Sequence, residues 1–349
     1  MRISTTKIII CFEFSLFLLL FSCNKNAQDI VTKYYKKGEF NGTVLITKND
    51  STVVDTALGF NNFETQEKFT TNTPFYIASL SKPFTATAII LLQQKGLLSF
   101  DDKASKYLPE LPDYAKNVTI RHLLTHTSGV WDYEKILSAK KRLKNQDVLN
   151  WLQQQKKLQF PSGSRFEYSN SGYIILSLII EKISGLSYLQ FLNENIFVPL
   201  KMENTQVYDE SEPLIKNKAL GYNQKKQPDD YSILTTGDGG IYSSTKDLYK
   251  FGQALRNYSL INKNNTVLMY TPFKLSDGKL SNYGFGWYID NSNNDKIVSH
   301  TGGLNGFRNI FWRDLKNNKT IIALTNQGDA FPLNNFLNDV KKTLNGNGN

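Results

Sequence analysis

The chain has 349 residues, of which 40% are hydrophobic and 21% charged, a balance that excludes disordered, collagenous and coiled-coil proteins and allows a large buried core. Its formal net charge is +10, yet the basic residues are scattered in short surface-type runs (Lys140, Lys141, Arg142 and Lys144; Lys156 and Lys157; Lys225 and Lys226) with no zinc-finger, RRM or helix-turn-helix signature beside them, so no nucleic-acid partner is expected. The only two cysteines, Cys11 and Cys23, sit near the N-terminus, which excludes a disulfide framework for the folded body.

In chain order, residues 1–22 read as a secretory signal peptide. Arg2 and Lys7 precede an apolar stretch from Ile8 to Phe21 that is too short, and too interrupted by Glu13, for a transmembrane helix. Leu20-Phe21-Ser22-Cys23 resembles the lipobox of bacterial lipoproteins, which implies lipidation at Cys23 and an exported protein held in the cell envelope (periplasm or outer membrane) through its N-terminal lipid. The polar, Lys-rich residues 23–38 read as a tether, and one folded domain is expected over 39–345.

Gly42 to Thr47 and Thr52 to Leu58 are β-branched runs separated by Lys48-Asn49-Asp50-Ser51, the pattern of a hairpin. Thr85 to Lys95, Ser171 to Ile183 and Tyr188 to Phe197 have helical length and apolar density, with Gly96 and Gly185 placed as C-terminal stops. Strand texture returns in Gly284 to Ile289, Lys296 to His300, Phe307 to Arg313 and Thr320 to Thr325, and a last helix is expected from about Pro332 to Leu344. Strands at both chain ends and helices between them predict an α/β protein of the α+β type. Its antiparallel sheet is flanked by helices, with a mostly helical lobe beside it and a cleft between the two.

Within this frame, Ser79-Leu80-Ser81-Lys82 matches S-x-x-K, which sets a hydroxyl and an amine on one face of a helix. The spacing recurs at Ser4, Ser22, Ser138, Ser243 and Ser276, but only at Ser79 does it open a long apolar helix, Phe84 to Leu92, with Pro83 in the first turn. Tyr168-Ser169-Asn170 is the single Y-x-N among 18 tyrosines. His300-Thr301-Gly302 closes a predicted strand.

Together the three motifs resemble the class C β-lactamases and their relatives, the D-alanyl-D-alanine carboxypeptidases, D-aminopeptidases and β-lactamase-like esterases. Leu123 to Gly129, Gly239 to Ser244, Tyr283 to Trp287 and Gly302 to Phe307 are similar to that family as well. The resemblance implies the β-lactamase/penicillin-binding-protein fold and a serine hydrolase that forms a covalent acyl-enzyme on a small-molecule or peptide substrate without a cofactor. It implies Ser79 as nucleophile, Lys82 and Tyr168 as the groups that move its proton, and Asn170, His300, Thr301 and Gly303 as substrate-binding residues. The backbone N–H groups of Ser79 and Gly303 would form the oxyanion hole.

Free lysine and tyrosine titrate near 10, so both are expected to be lowered by about two or three units to act at neutral pH, with the general base left open between them. Histidine at position 300, where class C β-lactamases carry lysine, holds a carboxylate weakly. A D-amino-acid peptide or small ester is therefore the expected substrate, ahead of a class C-type β-lactamase activity. A penicillin or cell-wall peptide binding protein without turnover is the remaining alternative.

His122 and His126 lie four apart, but no H-E-x-x-H glutamate accompanies them, so they read as structural and no metal is expected. Asp229, Asp230 and Asp238 sit in turn-like sequence and read as turn caps. Tyr133, Tyr242, Trp287 and Phe307 are candidates for cleft walls or simple core.

Overall fold

The computed structural model describes residues 27–137, 142–210, 215–229, 234–292 and 295–345. The signal peptide and the lipidation site at Cys23 lie outside the described residues.

Six antiparallel strands form the main sheet in the spatial order Ser51–Leu58, Gly42–Lys48, Lys319–Thr325, Phe307–Asp314, Ile297–Leu304, Tyr288–Asp290. The first hairpin therefore joins the last strand of the chain, with Gly42 opposite Thr325 and Lys48 opposite Lys319. Central strands such as Thr320-Ile321-Ile322-Ala323-Leu324 are apolar at consecutive positions because both faces of the sheet are covered. Val44, Ile46, Ile310, Trp312, Ile321 and Ala323 point to one side. Leu45, Phe311, Ile322 and Leu324 point to the other, into the larger core shared with the helical lobe.

The first side is closed by two terminal helices. Leu333–Leu344 buries Leu333, Phe336, Val340 and Leu344, spaced by three or four residues along one face. Residues 27–36 are also helical, which corrects the expected tether over 23–38 in its described part. Ala27, Val31 and Tyr34, one helical face, are buried; Tyr34 packs edge-on to Phe336 at 5.3 Å and donates to Asp339. Three apolar contacts in a lysine-rich run hold this segment, and local composition concealed them.

In the helical lobe, Lys82–Gln94 and Asn170–Ser184 pack against each other at the centre. Gly96 and Gly185, just past them, take the positive φ of 72° and 71° expected of helix stops. The expected helix over 188–197 is present as an α-helix, Tyr188–Leu192, continued by a π-turn over Asn193–Phe197. Among the described residues no single helix is long and apolar enough to cross a bilayer.

The two lobes meet where strand Ile297–Leu304 lies on the short 3₁₀ turn Ala78–Ser81. Contact there is backbone to backbone: a Cβ on Gly302 would sit 2.0 Å from the Ile77 carbonyl oxygen and 3.1 Å from the Leu80 nitrogen. Gly302→Ala is therefore expected to push the strand off the turn. The cost is about 1–3 kcal/mol of stability, and a shift of 1 Å between Ser79 and the strand costs about a hundredfold in rate. Thermal melts read beside the rate of ester hydrolysis check both, and an unaltered rate would show that this approach is not needed.

Candidate active site

Ser79 stands at a forced turn. Ala78 before it has φ 48°, a left-handed conformation that costs a non-glycine residue about 1 kcal/mol or more and persists only when the surroundings impose it. They do so here: the Ile77 N–H donates to Ile241 O at 2.9 Å and the Leu80 N–H returns to Ile77 O at 3.0 Å. Ser79 remains half-buried while its neighbours are buried. Of the competing S-x-x-K serines, Ser243 lies buried in a short strand and Ser276 in a surface turn, whereas Ser4, Ser22 and Ser138 lie outside the described residues.

Lys82, one turn on, is fully buried. Its Nζ lies 3.0 Å from Ser79 Oγ, 2.8 Å from Asn170 Oδ1 and 2.9 Å from the Asp238 carbonyl oxygen. Burial pushes its pKa down to about 8, against the pull of Asp238, Asp132 and Glu134.

Tyr168 directly precedes Ser169, whose hydroxyl caps the helix Asn170–Ser184 by accepting from the Gly172 N–H. The phenol is hydrogen-bonded to Ser79, and Lys82 Nζ lies 4.8 Å from its ring centre. Burial nonetheless drives it well above the ordinary tyrosine value. The expectation that both proton-moving groups are lowered thus holds for Lys82 and fails for Tyr168, because desolvation of the phenolate outweighs its hydrogen bond to Ser79.

His126 supports this tyrosine. Its ring lies 4.2 Å from that of Tyr168, and its Nδ1 accepts the Ser169 N–H at 3.1 Å. Burial, with the Lys82 charge adding to it, holds this imidazole well below its usual value, so it is a neutral prop at physiological pH. His122 is occupied elsewhere, accepting the Thr119 N–H at its helix start. Each of the two rings thus accepts a backbone N–H from its own neighbourhood.

His300 departs from expectation. It is buried, its Nδ1 lies 2.6 Å from the Thr301 carbonyl oxygen and its Nε2 2.9 Å from the Tyr283 hydroxyl. These partners fix a neutral tautomer that donates from Nδ1 and accepts at Nε2. Burial lowers its pKa to about 3. Both ring nitrogens are thus engaged within the protein, and the ring carries no charge at neutral pH.

Thr301 is exposed, opposite Ile310 on the face covered by the terminal helices, and it does not line the recess beside Ser79. Gly303 does line that recess. The strand turns back at Asn305-Gly306, with Leu304 opposite Phe307 and Gly303 opposite Arg308. Pairs alternate from a two-residue turn, so the Gly303 N–H points off the free edge rather than across the hairpin.

Among the polar side chains that line or buttress the recess, Asp132, Glu134 and Thr235 were not singled out from the sequence, and Asp238 was read otherwise. The carboxylate of Asp132 accepts the Asn170 N–H at the helix start, and Glu134 accepts from Asn170 Nδ2 at 2.7 Å. Asp238 is no turn cap: it is buried, accepts the Tyr133 hydroxyl at 2.7 Å, and is pushed up to about 6 by burial. Its flanking glycines suggested a surface turn, and nothing local signalled that the turn folds inward. Of the other aromatic candidates, Tyr133 lines the recess, while Tyr242, Trp287 and Phe307 are core.

The Beta-lactamase family pattern matches residues 27–341. The chain belongs to the beta-lactamase family. It is 36% identical over 325 residues to Penicillin-binding protein 4* of Bacillus subtilis (strain 168), covering 87% of this chain and 72% of that one. Among solved structures, a penicillin-binding protein from Bacillus halodurans superposes with a TM-score of 0.78 at 30% identity, covering 90% of this chain and 98% of that one. The D-amino acid amidase from Ochrobactrum anthropi SV3 shares the fold, with a TM-score of 0.80 at 23% identity and coverage of 93% and 99%. The protein is thus a serine hydrolase of the β-lactamase/penicillin-binding-protein fold.

Proposed function

We propose that this family member cleaves amide or ester bonds through a covalent acyl-enzyme on Ser79, with a D-amino-acid peptide or a small ester as substrate. The observation that carries this reading is the buried amine of Lys82, 3.0 Å from Ser79 Oγ and lowered to about 8. In its neutral form it takes the hydroxyl proton as Oγ attacks the carbonyl carbon. The N–H groups of Ser79 and Gly303 receive the oxyanion. Tyr168, neutral and hydrogen-bonded to Ser79, relays the proton to the leaving group. Water then releases the acyl group by the reverse path.

Lys82, not Tyr168, is the general base in this scheme, since only its pKa lies near the working range. The neutral His300, bonded internally, offers no cation to the carboxylate of a penicillin, which argues against efficient β-lactam hydrolysis. The leader over residues 1–22 supports an exported enzyme, and Cys23 supports a lipid anchor on the membrane.

Intact-mass spectrometry after exposure to D-Ala-D-Ala peptides, penicillins and p-nitrophenyl esters tests the reading. An acyl adduct on the peptide containing Ser79, with continuous release of product from a peptide or ester, is the expected result. A protein that takes up no acyl group from any of the three, or takes up one and never releases it, overturns it.

A further inference from the structure

Three groups meet the Lys82 amine, and only one of them has a proton to give. Its Nζ lies 3.0 Å from Ser79 Oγ, 2.8 Å from Asn170 Oδ1 and 2.9 Å from the Asp238 carbonyl oxygen. As an ammonium, Lys82 serves all three with its three N–H groups. As a neutral amine it keeps two N–H groups and a lone pair. Asn170 Oδ1 and the Asp238 carbonyl only accept, so they take both N–H groups and turn the lone pair onto the Ser79 hydroxyl, the direction a general base needs.

This arrangement holds only while Asn170 presents its oxygen. An amide turned end for end would aim Nδ2 at Lys82, donate to the lone pair and take it from Ser79. The ammonium form of Lys82 forbids that orientation by itself, whereas the neutral form accepts either one. The choice then falls on the other end of the amide, where Asn170 Nδ2 gives one of its two N–H groups to Glu134 at 2.7 Å. A carboxylate accepts and cannot donate, so it fits Nδ2 and rejects Oδ1. Asp132 holds Glu134 in register for this, accepting the Glu134 N–H at 2.9 Å on one carboxylate oxygen and the Asn170 N–H on the other.

We propose that Glu134 is a positioning residue for acylation: its carboxylate fixes the orientation of the Asn170 amide and thereby points the lone pair of Lys82 at Ser79. The inference rests on the acyl-transfer reading above and adds to it a residue that acts through Asn170.

Glu134 is also a charge, and its two effects have opposite signs. Burial lowers the Lys82 pKa to about 8, while Asp238, Asp132 and Glu134 pull against it. The other titratable groups that face this amine, the phenols of Tyr168 and Tyr173 and the imidazoles of His126 and His300, are neutral at working pH. Removing the Glu134 charge leaves more Lys82 neutral below pH 8, which taken alone speeds acylation there. Losing the amide orientation slows acylation even on the alkaline plateau, where Lys82 is already neutral.

The test measures kcat/KM for p-nitrophenyl acetate from about pH 6 to 9 in the wild type, Glu134→Gln and Glu134→Lys, with a thermal melt of each. Glu134→Gln pairs with the amide in either orientation and is expected to lose about twofold to fivefold on the plateau. Glu134→Lys only donates, selects the reversed amide, and is expected to lose about tenfold or more. Melting temperatures should hardly move, because Glu134 is exposed. Plateau rates equal to the wild type in both variants overturn the inference, and a gain below pH 8 beside them would assign Glu134 to the charge on Lys82 alone. Equal losses in the two, or losses that follow the melting temperature, overturn it as well and leave acyl transfer standing. A wild type that neither cleaves the ester nor forms an adduct on Ser79 overturns both.

Discussion

Ser79→Ala is expected to lower turnover of any accepted ester or peptide by about a thousandfold or more while leaving the melting temperature nearly unchanged. The rate is lost because no other hydroxyl can replace it. Ser81, two residues on, is fully buried and its Oγ accepts the Ile241 N–H at 3.3 Å, which turns it away from the recess. The fold survives because Ser79 is only half-buried and because Lys82, on losing this acceptor, retains Asn170 Oδ1 and the Asp238 carbonyl. Turnover of p-nitrophenyl acetate and a thermal melt on the same preparation check the two halves. A variant that still hydrolyses the ester at the wild-type rate removes Ser79 from the chemistry.

The second large effect belongs to Lys82. Lys82→Met keeps a chain of similar length in a fully buried site but removes the base, for which a loss of about a hundredfold to ten-thousandfold in acylation rate is expected. In the wild type the acylation rate should rise with pH and level off above about 8, where Lys82 becomes neutral. The same ionisation marks stability. Below pH 8 both the folded and the unfolded chain hold the Lys82 proton, and the folded state carries the full cost of burying that charge. Between about 8 and the ordinary value of 10.5 the folded protein gives up the proton first, so unfolding takes up a proton and stability rises with pH. The wild type should therefore gain on Lys82→Met by about 3 kcal/mol across that window. Denaturant unfolding of both proteins at pH 7 and pH 10 measures it, and parallel stability curves would show that Lys82 is not lowered.

Much of this site was legible because its chemistry rests on local spacing. A serine and a lysine three residues apart meet on one helical turn wherever that turn is placed, and Tyr168-Ser169-Asn170 contains its own helix cap. Strand and helix positions followed the alternation and length of the apolar runs, with ends displaced by one to four residues: the helix expected from Thr85 begins at Lys82, and the strand expected from Gly284 begins at Tyr288. The helix over 27–36 was missed because its stability comes from Phe336 and its neighbours, some three hundred positions away. The partners of the His300 ring were hidden for a similar reason. The motif fixes its position on the strand, whereas the partners of its ring, Tyr283 and the Thr301 carbonyl, depend on how the edge of the sheet is packed.

The sequence by itself determined most of the elements and the pairing of the Ser79 hydroxyl with the Lys82 amine, because these depend on apolar spacing and on a distance of one helical turn that the backbone sets without help. Only the tertiary structure decided the ionisation of Lys82 and Tyr168, the inward turn of Asp238 and the acidic character of the recess. Each of these arises from desolvation and from charges brought together by chain segments about a hundred residues apart, and neither quantity exists until the lobes close on one another.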